Sequence, residues 1–409
     1  MKYKAFKFRL VPNKEQRVLI NKTLGCARFL YNQMLNEKQV KYKAKDDSKL
    51  KTEKEYKIDF EWLKEVDSIA LQQARIDLKT AYDNFFRKLK SGELQKETAK
   101  LLAKAKTPKQ KLKAFNYGKP NFKSKHNPKH SYRTVSIKTT KGYSIRVKDN
   151  YIKLPKLGFV KFKKSREVSG KIKSITVSKN ILGRCYISVL CEVEVEKLPK
   201  LDTQVGIDLG LKEFCITSDS EFVSNPRYFR RSEEKLKKAQ RILSNRVKGG
   251  KNRFKQQKKL FRIHEKIRNQ RLDFLHKLST KLISENQVIC LEDLQVKNMV
   301  KNHCLAKSIS DVSWSKFVEL LKYKSDWYGR DLVQIDKFFP SSKMCSNCEN
   351  IKKDLTLKDR VYNCSSCGVK IDRDHNASLN ILREGLRILK NCRDDKVSLL
   401  NIQTLVCSS

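Results

Sequence analysis

The sequence predicts a multidomain chain mixing α/β and all-β parts, and three changes of texture along it carry that prediction. Apolar residues recur at helical spacing over 13–100, short alternating runs follow over 131–200, and beyond 203 apolar strands carrying acids alternate with amphipathic helices. At 409 residues the chain is long enough for two or three domains, and 39% hydrophobic residues suffice for real cores. The charge is lopsided, with 91 Lys and Arg against 44 Asp and Glu, a formal net charge of +47. Such an excess repels itself and attracts phosphate, so nucleic acid is the expected partner. No run reaches the ~18 consecutive apolar residues of a membrane span, and the start lacks a secretory core. A soluble, cytoplasmic protein with no membrane partner is expected.

The first element is an alternating strand over 4–12. Asn13 can cap a helix with Val18, Leu19, Leu24, Phe29 and Leu30 on its apolar side. A second helix over 69–89 carries Leu71, Ala74, Leu78, Tyr82, Phe85 and Phe86, so 13–100 reads as a helical bundle. Between Glu97 and Asp149 there is no acidic side chain, while Phe115, Tyr117, Phe122, Tyr132 and Tyr143 interleave with lysines. Cations that neutralise phosphates beside rings that stack on bases suit single strands and structured RNA. Short runs at 134–137, 143–147, 151–154, 160–162, 172–177 and 186–195 then predict a small antiparallel barrel, which the opening strand joins across the helical insertion. Leu198-Pro199-Lys200 reads as a linker.

The third part opens with Gln204-Val205-Gly206-Ile207-Asp208-Leu209-Gly210, a buried strand bearing an acid. Gly206 and Gly210 are expected to leave room for a ligand or a close backbone approach. The stretch from Lys235 to Arg271 is basic except for Glu265, and Gly249-Gly250 should split it into two helices. A second apolar strand, Val288-Ile289-Cys290-Leu291-Glu292-Asp293, ends in acid, with Glu292 and Asp293 on opposite faces by alternation. The third acidic motif, Asp372-Arg373-Asp374-His375-Asn376-Ala377, enters a helix. Carboxylates converging in a core repel unless cations intervene, and Mg²⁺ prefers carboxylates plus phosphate oxygens. Two such ions ~3.5–4 Å apart can hydrolyse a phosphodiester. A basic chain with a buried acidic trio reads as a metal-dependent nuclease.

Of the twelve cysteines, Cys26, Cys185, Cys191, Cys215, Cys290, Cys304, Cys392 and Cys407 are scattered and read mostly as small core residues. Cys345-x-x-Cys348 and Cys364-x-x-Cys367, fifteen residues apart, have the spacing of a Cys₄ zinc ribbon. A closed four-thiolate shell makes that zinc structural, and its place between the second and third acidic motifs suits it to clamp the third near the others. His375 is then free to face solvent or phosphate.

Taken in order, Gly206-Ile207-Asp208-Leu209-Gly210, Leu291-Glu292-Asp293-Leu294, the ribbon and Asp372-Arg373-Asp374-His375-Asn376-Ala377 resemble the TnpB family, the OrfB proteins of bacterial insertion sequences related to type V CRISPR effectors. Lys4-Ala5-Phe6-Lys7-Phe8-Arg9-Leu10, Gly25-Cys26-Ala27-Arg28, Tyr31-Asn32 and Phe339-Pro340-Ser341-Ser342-Lys343 extend the match, leaving only the tail after about 391. Met344 and Ser378 depart from the usual pattern without touching an expected ligand. The resemblance implies a β-barrel wedge domain (1–12 and 131–200), an inserted helical recognition lobe with a basic loop (13–130), an RNase-H-like RuvC domain (201–390) including the ribbon (343–369), and a tail (391–409). It implies Asp208, Glu292 and Asp374 as catalytic, magnesium-holding acids, with Asp372 and Asp293 as neighbours, and Cys345, Cys348, Cys364 and Cys367 on zinc. It further implies a guide RNA from the transposon end and cleavage of double-stranded target DNA beside a short motif, by a ribonucleoprotein expected to be monomeric. Strand transfer by a transposase, and a guided repressor or RNA-binding protein without cleavage, are the competing functions.

Overall fold

The computed structural model describes the backbone of the chain apart from residues 126, 128, 141, 357, 358 and 407–409, and side chains apart from these and 129, 297, 303, 304 and 393–406. The chain divides into two compact units, Met1–Glu194 and Val195–Ser409. Leu198 and Pro199 do not behave as a free linker. The Leu198 N–H donates to Tyr328 O at 3.1 Å, and the Arg330 guanidinium donates to Pro199 O at 2.7 Å, which ties both into the second unit.

The first unit runs β1 (Lys2–Val11), α1 (Lys14–Ala44), α2 (Glu53–Asp59), α3 (Ser68–Lys90), α4 (Glu93–Ala103), α5 (Pro108–Phe115), β2 (Lys129–Val135), β3 (Lys138–Thr139), β4 (Gly142–Tyr143), β5 (Arg146–Lys148), β6 (Tyr151–Leu154), β7 (Gly158–Lys163), β8 (Lys171–Asn180) and β9 (Cys185–Val193). Asn13 and Gln16 cap α1 reciprocally, at 2.8 and 3.1 Å. Seven strands pair in the order β2-β8-β9-β1-β7-β6-β5, with β1 antiparallel to both β9 and β7. The opening strand therefore does join the later ones. Among the described residues the ladder runs from β2 to β5 as a seven-stranded antiparallel sheet, and no pairing closes its ends into a barrel. One face is apolar by alternation: Phe6, Phe8 and Leu10 of β1 and Cys185, Ile187, Val189, Cys191 and Val193 of β9 are buried.

The acid-free stretch is more helical than its composition suggests. It holds α5, whose start is fixed by a capping box between Thr107 and Gln110 with Pro108 in the first turn. Phe115, Tyr117, Phe122 and Tyr143 are exposed there, whereas Tyr132 lies inside, because β2 turns it into the apolar face.

The second unit runs β10 (Gln204–Leu209), β11 (Glu213–Thr217), β12 (Phe222–Ser224), α6 (Tyr228–Ser244), α7 (Lys251–Glu285), β13 (Val288–Glu292), α8 (Val296–Met299), α9 (His303–Val312), α10 (Trp314–Tyr328), β14 (Asp331–Ile335), β15 (Val361–Asn363), β16 (Lys370–Asp372) and α11 (Arg373–Val406). Gly249-Gly250 does separate two helices, α6 and α7. The sheet order is β12-β11-β10-β13-β14, with β10, β13 and β14 parallel and β11 and β12 antiparallel. One face packs Val205, Ile207, Ile289 and Leu291 against Leu275, Leu278 and Leu282 of α7 and Phe317, Leu320 and Leu321 of α10. The other face carries Val288, Cys290, Val333 and Ile335 against Ile381, Leu382 and Leu386 of α11. The unit is a three-layer α/β/α domain. Among the described residues no helix is long and apolar enough to cross a membrane.

Candidate active site and metal centre

Asp208 and Glu292 arise on neighbouring parallel strands. The β10–β13 register pairs Ile207 with Leu291, so the next residues, Asp208 and Glu292, leave the strand ends side by side. Alternation puts Gly206 and Asp208 on one face of β10, and Cys290 and Glu292 on the same face of β13, the face that α11 covers. Helix and sheet touch backbone to backbone there. A Cβ on Gly206 would sit 2.1 Å from Ser378 O, and one on Gly385 would sit 2.3 Å from Cys290 Sγ. Gly206 therefore makes room for α11 and not for a ligand. Gly210 is fitted to the β10–β11 hairpin, where a Cβ would meet Glu213 O at 2.9 Å.

This close approach brings the first turn of α11 to the strand ends. Asp372 caps the helix: its Oδ1 accepts from the N–H groups of Asp374 and His375 at 2.9 and 3.0 Å, and its side chain is otherwise exposed. Asp374 is the acid whose charge reaches Asp208. Burial, with Glu292 and then Asp374 repelling, pushes the Asp208 carboxyl up to about 8, against a smaller opposing pull from Arg373. Burial also raises Glu292, partly offset by a hydrogen bond from Ser341 Oγ to its Oε1. Arg373 donates Nε and Nη2 to Asp374 Oδ1 at 3.0 and 2.8 Å, and Arg360 lies 3.8 Å from Oδ2. Asp293 is exposed on the opposite face, with Gln295 and Gln334 each 3.4 Å away. His375 does not face open solvent; its Nε2 lies 3.1 Å from both Ser218 O and Ser220 Oγ.

Cys345, Cys348, Cys364 and Cys367 come together with all four Sγ atoms within 4.8 Å of one another, Cys345–Cys367 at 3.6 Å and Cys348–Cys364 at 3.5 Å. A tetrahedral zinc with bonds of about 2.3 Å separates its sulfurs by about 3.8 Å, so the donor set and its span fit zinc. Two equivalent turns build it. Glu349 N–H donates to Cys345 O and Gly368 N–H to Cys364 O, each at 3.0 Å, with Glu349 and Gly368 both at positive φ. Glycine takes that conformation without cost, but Glu349 does not. Backbone N–H groups, that of Cys367 foremost, draw the Cys364 thiol down to about 6.

The ribbon and the acids share a frame. Asn376 and Asn380, both fully buried on α11, hold the first knuckle: Asn376 accepts from Ser346 N–H at 2.9 Å and donates to Met344 O at 2.7 Å. Asn380 donates to Ser341 O at 2.8 Å and Met344 O at 2.7 Å. Ser341 in turn holds Glu292. These asparagines were not singled out from sequence; a polar residue at each i, i+4 position of an otherwise apolar helical stripe was the available signal. Of the scattered cysteines, Cys26, Cys185, Cys191, Cys215 and Cys290 are buried as expected, Cys392 is exposed, and the side chains of Cys304 and Cys407 lie outside the described residues.

Comparison with known proteins identifies relatives of the chain. A family described as "Probable transposase" (OrfB of IS605) matches residues 188–303, a "Cas12f1-like, TNB domain" matches 314–381, and a "Helix-turn-helix domain" of the same OrfB group matches 1–47. Over that last segment the structure has a strand and one long helix, β1 and α1. A "Putative RNA-guided DNA endonuclease" of Streptomyces pristinaespiralis is 36% identical over 94% of this chain and 89% of its own length. A "Putative RNA-guided DNA endonuclease InsQ" of Escherichia coli (strain K12) is 29% identical over 94% and 93%. A solved Cas12f1–sgRNA–target DNA complex aligns over 93% of this chain and 98% of its own at 13% identity and a TM-score of 0.46, too loose a likeness to carry an argument. On the strength of the full-length relatives and the OrfB match, the chain belongs to the TnpB family, the OrfB proteins of insertion sequences.

Proposed function

We propose that this chain is an RNA-guided DNA endonuclease of an insertion sequence. In this reading Asp208, Glu292 and Asp374 hold magnesium ions and the four cysteines hold a structural zinc. One observation carries it. Burial at the end of β10, with Glu292 of β13 and Asp374 of α11 within electrostatic reach and repelling, drives Asp208 up to about 8. A fold gains nothing by crowding acids unless a cation joins them, and an all-carboxylate set fits a hard divalent ion. Bound there, magnesium supplies an activated water and stabilises the leaving oxygen of a phosphodiester. The chain's own residues set the conditions: Ser341 orients Glu292, Arg373 balances the charge of Asp374, and the Gly206 and Gly385 contacts fix how near α11 stands.

The five-stranded mixed sheet, with acids leaving adjacent parallel strands, supports assigning residues 201–390 to a RuvC-type, RNase-H-like domain. The sheet of the first unit and its inserted helices support a wedge domain (1–12 and 131–200) and a recognition lobe (13–130), with 391–409 a tail. Guide RNA from the transposon end and double-stranded target DNA are the partners, in a monomeric ribonucleoprotein. The relatives' descriptions favour cleavage over strand transfer, for which the same three acids would also serve. The test is to purify the protein from its host, sequence the RNA bound to it, and challenge the particle with matching DNA. A discrete RNA with Mg²⁺-dependent cuts supports the reading; strand joining without a bound RNA would replace it.

A further inference from the structure

The first unit carries a groove that its own fold does not explain. Gly25 lies in the middle of α1, where glycine is the weakest helix former after proline, yet a Cβ there would meet nothing within 4 Å. No positive φ and no neighbouring element requires it. The open space above it is a groove of about 390 Å³, walled by Phe29 and Trp62 and rimmed by the Lys22–Glu65 ion pair. Trp62 is held by its neighbours, with ring centroids 4.8 Å from Phe29 and 6.2 Å from Phe60, but is 43% exposed. A preorganised ring with an open face is a stacking platform.

Arg28, one turn beyond Gly25, lines this groove and also a second cavity of about 170 Å³ that reaches Lys123, His130 and Arg133. Lys22 is neutralised by Glu65, and Lys123 and Arg133 share Asp77 at 3.9 and 3.4 Å. Arg28 is half-buried, and among the described residues it has no hydrogen-bond or carboxylate partner. A guanidinium with five donors and no acceptor, beside an open aromatic ring, is a site for an anion attached to a flat group. A duplex keeps its bases stacked; an unstacked base with its phosphate belongs to a single-stranded loop or bulge, which is how proteins read RNA.

We infer that the groove over Gly25 takes one unpaired nucleotide of the bound RNA, its base stacked on Trp62 and its phosphate on Arg28. This rests on the reading that the chain carries an RNA. It is separate from the chemistry at Asp208 and is read by affinity, so a failure to cleave leaves it standing.

Two measurements test it. Ultraviolet crosslinking of the ribonucleoprotein as purified, followed by peptide mass spectrometry, should put a ribonucleotide adduct on a peptide bearing Trp62 or Phe29. Adducts elsewhere with none here would overturn the assignment. Gly25→Leu places its Cβ where the fold has nothing within 4 Å and projects the rest of the side chain into the groove, so its Tm should match or exceed that of the parent. Its affinity for a short single-stranded oligouridylate should nonetheless fall about tenfold, as should that of Trp62→Ala. Unchanged affinity in Gly25→Leu at unchanged Tm refutes the site. An equal loss for the deoxy counterpart would assign the groove to DNA and refute the RNA proposal.

Discussion

The second unit holds two sets of ligand-type side chains, four thiols and three carboxylates, and they are assembled in opposite ways. The thiols sit on two equivalent turns whose backbone N–H groups draw Cys364 down to about 6, toward the thiolate a metal needs, while burial and the neighbouring thiols raise Cys348 to about 11. The carboxylates come from three separate elements, and burial, with Glu292 and Asp374 repelling, drives Asp208 up to about 8. A ribbon of this kind stores its affinity in local geometry. The acidic site depends on long-range packing of α11 on the sheet, and what that packing creates is an electrostatic conflict that a divalent cation would resolve.

That contrast can be broken at several points. Cys364→Ser removes one of four thiolates from a class of site whose zinc contributes on the order of 10 kcal/mol to folding. The ribbon should lose its zinc by elemental analysis and become the first segment cut in limited proteolysis; full zinc content would contradict the four-thiolate assignment. Gly206→Ala and Gly385→Ala force α11 away from the sheet, and each should cost about 1–3 kcal/mol. Denaturant titration reads the loss, and Mg²⁺-dependent activity should fall further than stability does, because Asp374 moves with the helix. Wild-type stability in both would mean the helix is not tightly seated. Asn380→Ala leaves the carbonyls of Ser341 and Met344 without their buried donor, a loss of about 1–3 kcal/mol that should loosen the ribbon and Glu292 together.

A pH dependence provides a further test. The folded Asp208 carboxyl titrates near 8 and the unfolded one near the ordinary carboxylate value. Between those limits the metal-free folded chain holds a proton that the unfolded chain has released, so stability is full below the window and is lost as pH rises through it. The Tm of metal-free protein should therefore decline from about pH 4 to about pH 8, and Asp208→Asn should flatten that component. Mg²⁺ should oppose the decline and bind with proton release, detectable by titration calorimetry in buffers of different ionisation enthalpy. An Asp208→Asn profile parallel to the parent's would dissociate the effect from this residue.

Much of this was legible in sequence because it is local. Cys-x-x-Cys pairs specify a knuckle, alternation fixes which face Glu292 takes, and Gly249-Gly250 breaks a helix wherever it falls. What sequence hid was contact between distant segments. Gly206 offered either a ligand or a backbone as its neighbour, and only the seating of α11 decides for the backbone. Asp372 and Asp374 are two residues apart in one motif; helix capping consumes the first and turns the second toward Asp208. His375 is expected to face solvent or phosphate, yet the turn between β11 and β12 meets its ring. In the acid-free stretch the Thr107–Gln110 capping box that starts α5 is masked by the lysines around it.

The most direct test of the central claim is cleavage of matched DNA by the purified ribonucleoprotein, comparing Asp208→Asn with the parent over a range of Mg²⁺ concentrations while RNA content is quantified in both. Equal RNA content and no cleavage by the variant at any Mg²⁺ concentration are expected. Undiminished cleavage by Asp208→Asn, with the same metal dependence as the parent, would show that these three acids are not where the phosphodiester is cut.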